Sequence, residues 1–355
     1  MNFIEAIREG HLFQLESNES CYILGLGVNY PNGADGSTKG LAEIYPERVL
    51  DVPASELSFT GMAVGMASQG LRPVVHHGRI EFAMLAFDQI LTQASRWNYM
   101  FGGDYPCPIS LRICIGRQWG NGPQHTANYH SIFLQSPGLE IYIPATPLDV
   151  FRSIIHSSKI DRPSVILEHR WLYKTSQDFD INCIDKNIDN LETATVYEEG
   201  NDFTLLTYGD GLVECLKFID FCKQEYNYDG KVICLKHFPA DNRFSPNLIE
   251  TVSLSNNILA VDTAPFEGGV LASFLGSMIT HNSTEKFRIE KCAPEYHPCP
   301  TSPALVGEYY PNLKSISKAL SNYGFTFGKL PDLEFDDLHV LPSFDYTKYK
   351  QKNIL

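Results

Sequence analysis

The sequence predicts an α/β protein of two domains in series, each with a largely parallel sheet between layers of helices. Three observations support this fold class. The chain has 355 residues, which is long for a single hydrophobic core. Short apolar runs typical of buried strands alternate with longer segments of helical periodicity. In addition, 43% of the residues are hydrophobic and only 20% are charged, so the chain can bury a large core.

The first domain is predicted to span residues 1–178. Helical periodicity covers residues 2–17, 55–69, 80–96 and 147–159. Apolar runs typical of buried strands cover residues 21–28, 71–75, 108–115, 139–144 and 164–168. This alternation predicts a parallel sheet with both faces covered. On the helix at 80–96, the side chains expected to face the core are Phe82, Leu85, Ala86, Gln89 and Ile90.

The helix at 55–69 and the strand after it form the most distinctive unit of the first domain. Gly61 and Gly65 stand four residues apart, so they place small residues on one helix face and allow another backbone to approach closely. The strand that follows ends in the polar residues His76, His77 and Arg79. Polar side chains just past the carboxyl end of a parallel strand commonly hold a ligand.

The second half of the chain repeats the alternation of strands and helices. Residues 179–200 are rich in asparagine and aspartate and are predicted to form a linker. The second domain is assigned to residues 201–327, with strands at 203–208, 231–235 and 257–261 and helices at 212–225 and 246–253. Residues 328–355 are acidic and aromatic, and we expect a tail that packs on the surface or on a partner.

Several segments resemble the beta subunits of the thiamine-diphosphate-dependent first component of 2-oxo acid dehydrogenase complexes. The longest is DVPASELSFTGMAVGMASQGLRPVV at 51–75. Others are FAMLAFDQI at 82–90, NYMFGG at 98–103, PISLR at 108–112, QH at 124–125 and, more weakly, PCPTSPALVGEYYP at 298–311. The resemblance covers about residues 1–325. It implies a transketolase-like pyrimidine-binding domain followed by a transketolase C-terminal-like domain.

The resemblance also implies roles for three residues. Glu56 is expected to hydrogen-bond the aminopyrimidine of thiamine diphosphate and to favour its imino tautomer, and Phe82 is expected to lie against the same ring. His125, on a glycine-rich loop, is expected to act as a general acid or base on the substrate. From spacing alone, Glu56 is equally a first-turn glutamate favoured by the helix dipole, and Phe82 is equally a core residue.

The surroundings of Glu56 are expected to assist this role. Leu57, Phe59 and Met62 are apolar neighbours, and burial among them disfavours the charged form of a carboxyl group. Leu26 is expected beside the cofactor, where the resembling family commonly carries an acidic residue, so this chain lacks that carboxylate.

Four residues are candidate substrate contacts: His77, Arg79, Arg117 and Trp119. Together with Leu26 and His76 they motivate an alternative function, a split transketolase-like carboligase subunit that acts on a sugar or sugar-nucleotide. A second alternative is a non-catalytic subunit that keeps the fold for assembly. The joint presence of Glu56, Phe82 and His125 argues against it.

No metal site is predicted within the chain. Gly209-Asp210-Gly211 followed by Asn242 has the ligand types and approximate spacing of a thiamine-diphosphate magnesium site. The resemblance, however, puts this segment in the C-terminal domain, which does not bind the diphosphate in the family. An alpha-type partner is therefore expected to hold the diphosphate and Mg²⁺. The nine cysteines lack a C-x-x-C pair, which predicts reduced thiols rather than a zinc site.

The charge and hydropathy restrict the partners and the location. A net charge of −14 argues against nucleic acid or an anionic membrane as the main partner. No apolar run is long enough for a membrane span, and the amphipathic start differs from a signal peptide, so we expect a cytoplasmic protein. The resemblance implies a beta dimer within an α2β2 assembly, and it leaves open whether a lipoyl acyltransferase is a further partner.

Overall fold

The computed structural model describes residues 1–117, 122–185, 188, 190–281, 287–330 and 341–355. The helices that it describes are α1 (Phe3–Ser17), α2 (Leu41–Ile44), α3 (Glu56–Ser68), α4 (Ile80–Ala83), α5 (Ser95–Met100), α6 (His130–Leu134), α7 (Pro147–Ser157), α8 (Gly211–Glu225), α9 (Pro246–Ser253), α10 (Val270–His281), α11 (Pro303–Tyr309) and α12 (Leu313–Ser321). Over the described ranges, none of these helices is both long and apolar enough to cross a membrane.

The described strands form two sheets, and the predicted two-domain α/β fold is confirmed. The strands are β1 (Cys21–Gly25), β2 (Val49–Asp51), β3 (Arg72–His77), β4 (Ser110–Ile115), β5 (Glu140–Tyr142), β6 (Ser164–His169), β7 (Ala194–Tyr197), β8 (Phe203–Tyr208), β9 (Gly230–Leu235), β10 (His237–Phe238), β11 (Asn257–Val261), β12 (Arg288–Cys292) and β13 (Gln351–Ile354). Their order is β10-β5-β6-β4-β3-β1-β2 in the first sheet and β12-β11-β8-β9-β7-β13 in the second.

The first sheet is parallel from β2 to β5, so the carboxyl ends of these strands share one edge. The exception is β10, which pairs antiparallel with β5. It follows β9 of the second sheet after one residue, so the second half of the chain contributes a strand to the first sheet. The backbone thereby ties the two halves together.

The second sheet includes two segments outside the range predicted for its domain. Strand β7 lies within the predicted linker at 179–200 and pairs antiparallel with β9. Strand β13 lies within the predicted tail and covers the outer side of β7. Tyr346, which precedes β13, is fully buried. The end of the chain is therefore integrated in the fold, because it pairs an otherwise open sheet edge.

The predicted helix at 80–96 is not a single α-helix. After α4 the chain makes a 3₁₀ turn at Met84–Ala86 and a π-helical segment at Asp88–Ala94 before α5 begins. Ala83, Ala86 and Ile90 are buried, whereas Phe82 and Leu85 are exposed. The predicted core face was therefore wrong at Phe82 and Leu85. The changes in helical winding shift the phase, and small alanines let the segment lie close to its neighbours.

A buried ion pair lies in the middle of the first sheet. Arg112 of β4 and Glu168 of β6 are both inaccessible to solvent, with Nε to Oε1 at 2.5 Å and Nη2 to Oε2 at 2.8 Å. Arg112 Nη1 also donates to His11 Nε2 of α1 at 2.9 Å and to Ser37 Oγ at 3.2 Å. The guanidinium thus connects two strands, the first helix and the loop after β1.

Removing one partner of this pair is expected to destabilise the fold strongly. Glu168→Gln keeps the shape of the side chain but leaves the charge of Arg112 buried and uncompensated. Loss of one partner of a buried pair typically costs about 3–5 kcal/mol of unfolding free energy. Urea unfolding of the purified chain, followed by circular dichroism, measures this loss.

The exposed pair Lys291–Glu267 provides the control, because solvent screens it. Lys291→Met is expected to leave the urea midpoint almost unchanged. Equal midpoints for Glu168→Gln and the unchanged protein would contradict a stabilising role for the Arg112–Glu168 pair.

Candidate active site

The carboxyl edge of the first sheet brings together the residues that the sequence singled out. Leu26 follows β1, Glu56 begins α3 shortly after β2, and Arg79 follows β3. Strands β2, β1 and β3 are neighbours in the sheet, so these three positions lie along one edge. The backbone N–H of Gly27 donates to the carboxylate of Asp51 at 2.5 Å and joins the ends of β1 and β2.

Helix α3 presents Glu56 on its first turn, where the carboxylate is half-buried. One turn later on the same helix face, Thr60 Oγ1 hydrogen-bonds His77 Nε2 of β3 at 3.2 Å. The ring of Phe59 lies 5.2 Å from the ring of His77, between centroids. These contacts fix the start of α3 against β3, and with it the direction of Glu56.

The expected burial of Glu56 among apolar neighbours is only partly observed. Phe59 is buried, but Leu57 and Met62 are 56% and 48% exposed. The small residues of α3 account for this, because Ala63 and Ala67 face the core and turn the larger side chains outward. Within this chain, Glu56 therefore lies at the border of an exposed apolar surface rather than inside a core.

Phe82 and His125 lie beside each other, as the proposed cofactor site requires. Their ring centroids are 5.4 Å apart with an interplanar angle of 61°, and the Phe82 ring is 41% exposed. Arg79 Nη1 donates to the backbone carbonyl of His125 at 2.8 Å. Glu81 accepts a hydrogen bond from the backbone N–H of Ala127 at 2.8 Å. The segment between β3 and α4 thus holds the loop that carries His125.

Arg79 and Glu81 consequently act on the backbone of this loop. The sequence pointed to Arg79 as a substrate contact, whereas its described hydrogen bond is to the His125 carbonyl. Glu81 was not identified from the sequence. Its only signal there was a carboxylate two residues from Arg79, which is not distinctive on a helix surface.

His76 and His77 are core histidines. Both are buried, and burial holds the pKa of His76 well below its usual value and lowers the pKa of His77 to about 3. They are therefore neutral at physiological pH. The prediction that His77 contacts the substrate is not supported by this position, because the ring is enclosed between β3 and α3.

Arg117, predicted as a substrate contact, borders a small cavity together with Arg79 and His125, but its guanidinium is engaged by aromatic rings and a carboxylate. Its guanidinium stacks over Trp171 at 3.6 Å and over Tyr310 at 4.6 Å, measured to the ring centroids. Arg117 Nε donates to Asp210 at 3.2 Å, and Thr263 donates to the same carboxylate at 2.7 Å. Arg117 therefore joins the loop after β4 to the second domain. Trp119 lies outside the described residues.

Large apolar side chains around Glu56 are exposed in this chain. We call this surface the apolar rim, and its members are Leu26, Leu57, Met62, Phe82, Met84 and Leu85. These side chains lie on α3, on the segment that packs against it and just after β1, and exposed apolar side chains grouped on neighbouring elements are typical of a binding or assembly interface. The half-buried carboxylate, the exposed aromatic ring and the surrounding apolar groups are suited to a flat heterocycle that is then covered by another surface.

Comparison with known proteins identifies a matching family model and several relatives of this chain. The family model described as the pyrimidine binding domain of transketolase matches residues 8–176. The pyruvate dehydrogenase E1 component subunit beta of Rickettsia conorii is 33% identical over 273 residues, which cover 76% of this chain and 81% of that protein. The mitochondrial pyruvate dehydrogenase E1 beta subunit of Saccharomyces cerevisiae is 26% identical and covers 90% of this chain and 88% of its own.

Two further similarities extend over most of the chain. The beta subunit of the acetoin:2,6-dichlorophenolindophenol oxidoreductase of Cupriavidus necator is 27% identical, over 88% of this chain and 94% of that subunit. A solved structure described as a split-gene transketolase in an inactive beta4 tetramer aligns with a TM-score of 0.69. It covers 89% of this chain and 97% of that chain at 17% identity, which supports the fold alone.

The buried histidines predict a pH dependence of stability. The folded pKa of His77 is about 3, whereas the unfolded side chain titrates near 6.5. The unfolded state therefore binds more protons between these values, and stability falls as the pH is lowered through that window. One such histidine contributes at most about 1.4 kcal/mol per pH unit.

His77→Gln is expected to reduce the difference in melting temperature between pH 7.5 and pH 5.5, whatever its effect at pH 7.5. Differential scanning calorimetry at the two pH values measures it. His297→Gln is the control, because His297 is exposed and is expected to leave the difference unchanged. The same pH dependence in His77→Gln as in the unchanged chain would rule out His77 as a source of the effect.

Proposed function

We infer that this chain is the pyrimidine-binding subunit of a thiamine-diphosphate-dependent 2-oxo acid dehydrogenase. The chain belongs to the family of the pyruvate dehydrogenase E1 beta subunits. The observation that carries this proposal is the placement of Glu56 and Phe82 beside the same apolar rim at the carboxyl edge of the first sheet. This edge lies within the part of the chain that matches the pyrimidine-binding family model.

The cofactor supplies the electron sink needed to decarboxylate a 2-oxo acid, and the residues of this chain bind and orient it. Glu56 would hydrogen-bond a ring nitrogen of the aminopyrimidine and exchange a proton with it. The exposed face of Phe82 would pack against that ring, and aromatic contact contributes about 0.5–1.5 kcal/mol beyond burial. Partial exposure of Glu56 suits this role, since the carboxylate must be reachable by a group that enters from outside the chain.

His125 is the group proposed to exchange a proton with the substrate. Its ring is half-buried beside Phe82, and Nδ1 has no hydrogen-bond partner within the described part of the chain. Arg79 holds the backbone carbonyl of His125, and Glu81 holds the backbone N–H of Ala127, two residues further along the chain. A histidine with an ordered backbone and an unpaired ring nitrogen can serve as a general acid or base.

The partner in this proposal is an alpha-type subunit that covers the apolar rim and holds the diphosphate with Mg²⁺. Two features support it. The rim leaves Leu57 and Met62 about half exposed. Asp210 of the Gly-Asp-Gly motif is buried and accepts hydrogen bonds from Thr263 and Arg117.

The alternative of a carboligase acting on sugars loses its main support. It was motivated by basic residues near the site, but His76, His77 and Arg117 are buried. The first two lie between sheet and helix, and Arg117 contacts the second domain. Apart from Arg79 and His125, the described groups around Glu56 and Phe82 are acidic or apolar, which favours the dehydrogenase proposal.

Glu56→Gln is expected to lower turnover of the reconstituted complex by at least 100-fold, because the amide cannot exchange the proton. The complex consists of this chain and its alpha-type partner, and 2-oxo acid decarboxylation is measured with added thiamine diphosphate and Mg²⁺. Circular dichroism and size-exclusion chromatography establish that the variant folds and assembles.

Glu43→Gln is the matched control, since Glu43 is also a first-turn glutamate at a helix start but lies outside the site. It is expected to retain full turnover. If the Glu56→Gln complex turned over as fast as the control, Glu56 would have no role in the reaction and the central proposal would be abandoned.

Leu57→Asp is expected to weaken assembly with the alpha-type partner by at least 10-fold, because it puts a charge into an interface that is apolar on this side. Sedimentation velocity of mixtures at several concentrations measures the change. Leu254→Asp is the control, because Leu254 is 77% exposed and lies in the second domain. Equal assembly of the two variants would place the partner elsewhere.

A further inference from the structure

Three metal-ligating side chains meet at the opposite end of the first sheet from the candidate active site. They are Glu140 at the start of β5, His156 near the end of α7 and His237 in β10. All three are buried, with at most 4% of each exposed. One carboxylate oxygen and one nitrogen from each ring lie within 4.8 Å of one another.

The contacts of His237 fix the orientation of its ring, with Nδ1 engaged by the backbone and Nε2 facing the cluster. His237 Nδ1 hydrogen-bonds the backbone carbonyl of Leu191 at 3.1 Å, so that nitrogen carries a proton. In the neutral ring Nε2 then has a lone pair, yet it faces Glu140 Oε1 at 2.6 Å. Two acceptors at this distance need either one proton shared between them or a metal cation beside them.

Tyr142 contacts both His156 and His237 and restricts the orientation of their rings. Its hydroxyl lies 2.6 Å from His156 Nδ1, and its ring stacks on His237 with a centroid distance of 4.9 Å and an interplanar angle of 7°. Metal-binding histidines characteristically have such outer contacts, a carbonyl or a hydroxyl that sets the orientation of the ring. The other Glu140 oxygen accepts from the backbone N–H of Ala240 at 3.1 Å.

An ion can reach this cluster from solvent. The three side chains line a cavity of about 1050 Å³ whose wall also includes the exposed residues Tyr99 and Asp241. Arg162 lies 3.7 Å from Glu140 and would repel a cation. It is 40% exposed and is paired with Asp241 at 2.8 Å, so its charge is partly compensated.

We propose that Glu140, His156 and His237 bind a divalent transition metal of the zinc type. Two imidazoles and one carboxylate are a common protein ligand set for Zn²⁺, with water from the cavity in the fourth position. Ligands in a tetrahedral site are roughly 3.3 Å apart. Binding therefore separates Glu140 from His237 slightly and draws His156 inward, and both movements are within the reach of side-chain rotation.

The metal would have a stabilising function. Glu140 and His156 belong to the first domain, whereas His237 follows β9 of the second sheet after one residue. A bound ion would add bonds between β10 and the edge of the first sheet, where the backbone pairing covers only two residues of each strand. The site lies at the amino ends of the parallel strands, away from Glu56 and Phe82.

Binding of Zn²⁺ to the full-length chain tests this proposal. The protein carries Cys183→Ser to remove its exposed thiol, and it is dialysed against Zn²⁺ or Mg²⁺ and analysed for metal by mass spectrometry. We expect one Zn²⁺ per chain, a higher melting temperature with Zn²⁺ and no change with Mg²⁺. Co²⁺ is expected to give the visible absorption of a tetrahedral site with nitrogen and oxygen ligands.

Two variants identify the ligands. Glu140→Gln and His156→Gln are each expected to weaken Zn²⁺ binding by at least 10-fold and to remove the thermal shift. His297→Gln, which changes an exposed histidine, is expected to retain both. Circular dichroism at 20 °C verifies the fold of each variant, and His156→Gln serves alone if Glu140→Gln does not fold.

Two results would overturn the proposal. One is the absence of stoichiometric Zn²⁺ from the unchanged site, which would leave His237 and Glu140 joined by an ordinary hydrogen bond. The other is equal Zn²⁺ affinity in His156→Gln and His297→Gln. Neither result bears on the dehydrogenase proposal, which is tested by turnover of the complex with thiamine diphosphate.

Discussion

The buried pair of Arg112 and Glu168 is the constraint on which the first domain depends. A guanidinium inaccessible to solvent must have every hydrogen-bond donor satisfied, so β4, β6, α1 and the loop after β1 have to meet around it. The partners of Arg112 fix the order of the central strands. Their carboxyl ends then carry Leu26, Glu56 and the loop of His125 along one edge.

Close packing of helices on this sheet determines which side chains are exposed at the surface. Alanines on α3 and on the segment after α4 face the core, and the segment changes its helical winding to keep them there. The larger side chains are consequently turned outward, Leu57, Phe82 and Leu85 among them. The same packing that builds the domain therefore leaves the apolar surface that we propose an alpha-type subunit covers.

The sequence predicted the fold class, and Leu26, Glu56 and Arg79, which it proposed for the site, lie along one edge of the first sheet, because both results follow from local patterns of strands and helices. It did not predict which side chains at that edge are buried. His77 and Arg117 have the polarity of substrate contacts, but Thr60 and Asp210, from distant parts of the chain, enclose them. The winding change at 84–94 also depends on packing rather than on periodicity. Glu140, His156 and His237 are too far apart in sequence for any spacing rule to join them.

The two ends of the first sheet therefore serve different purposes. At the carboxyl ends Glu56 is partly exposed, as the proposed approach of a cofactor from outside the chain requires. At the amino ends Glu140 is almost fully buried, which by itself raises its pKa, and the hydrogen bond and charge interaction with His237 help to bring the pKa below its usual value. The Glu56 carboxylate is accessible from outside the chain, whereas the Glu140 carboxylate is held in place by its hydrogen bonds. The strand direction of a parallel sheet separates the two, so a stabilising contact at one end does not compete with chemistry at the other.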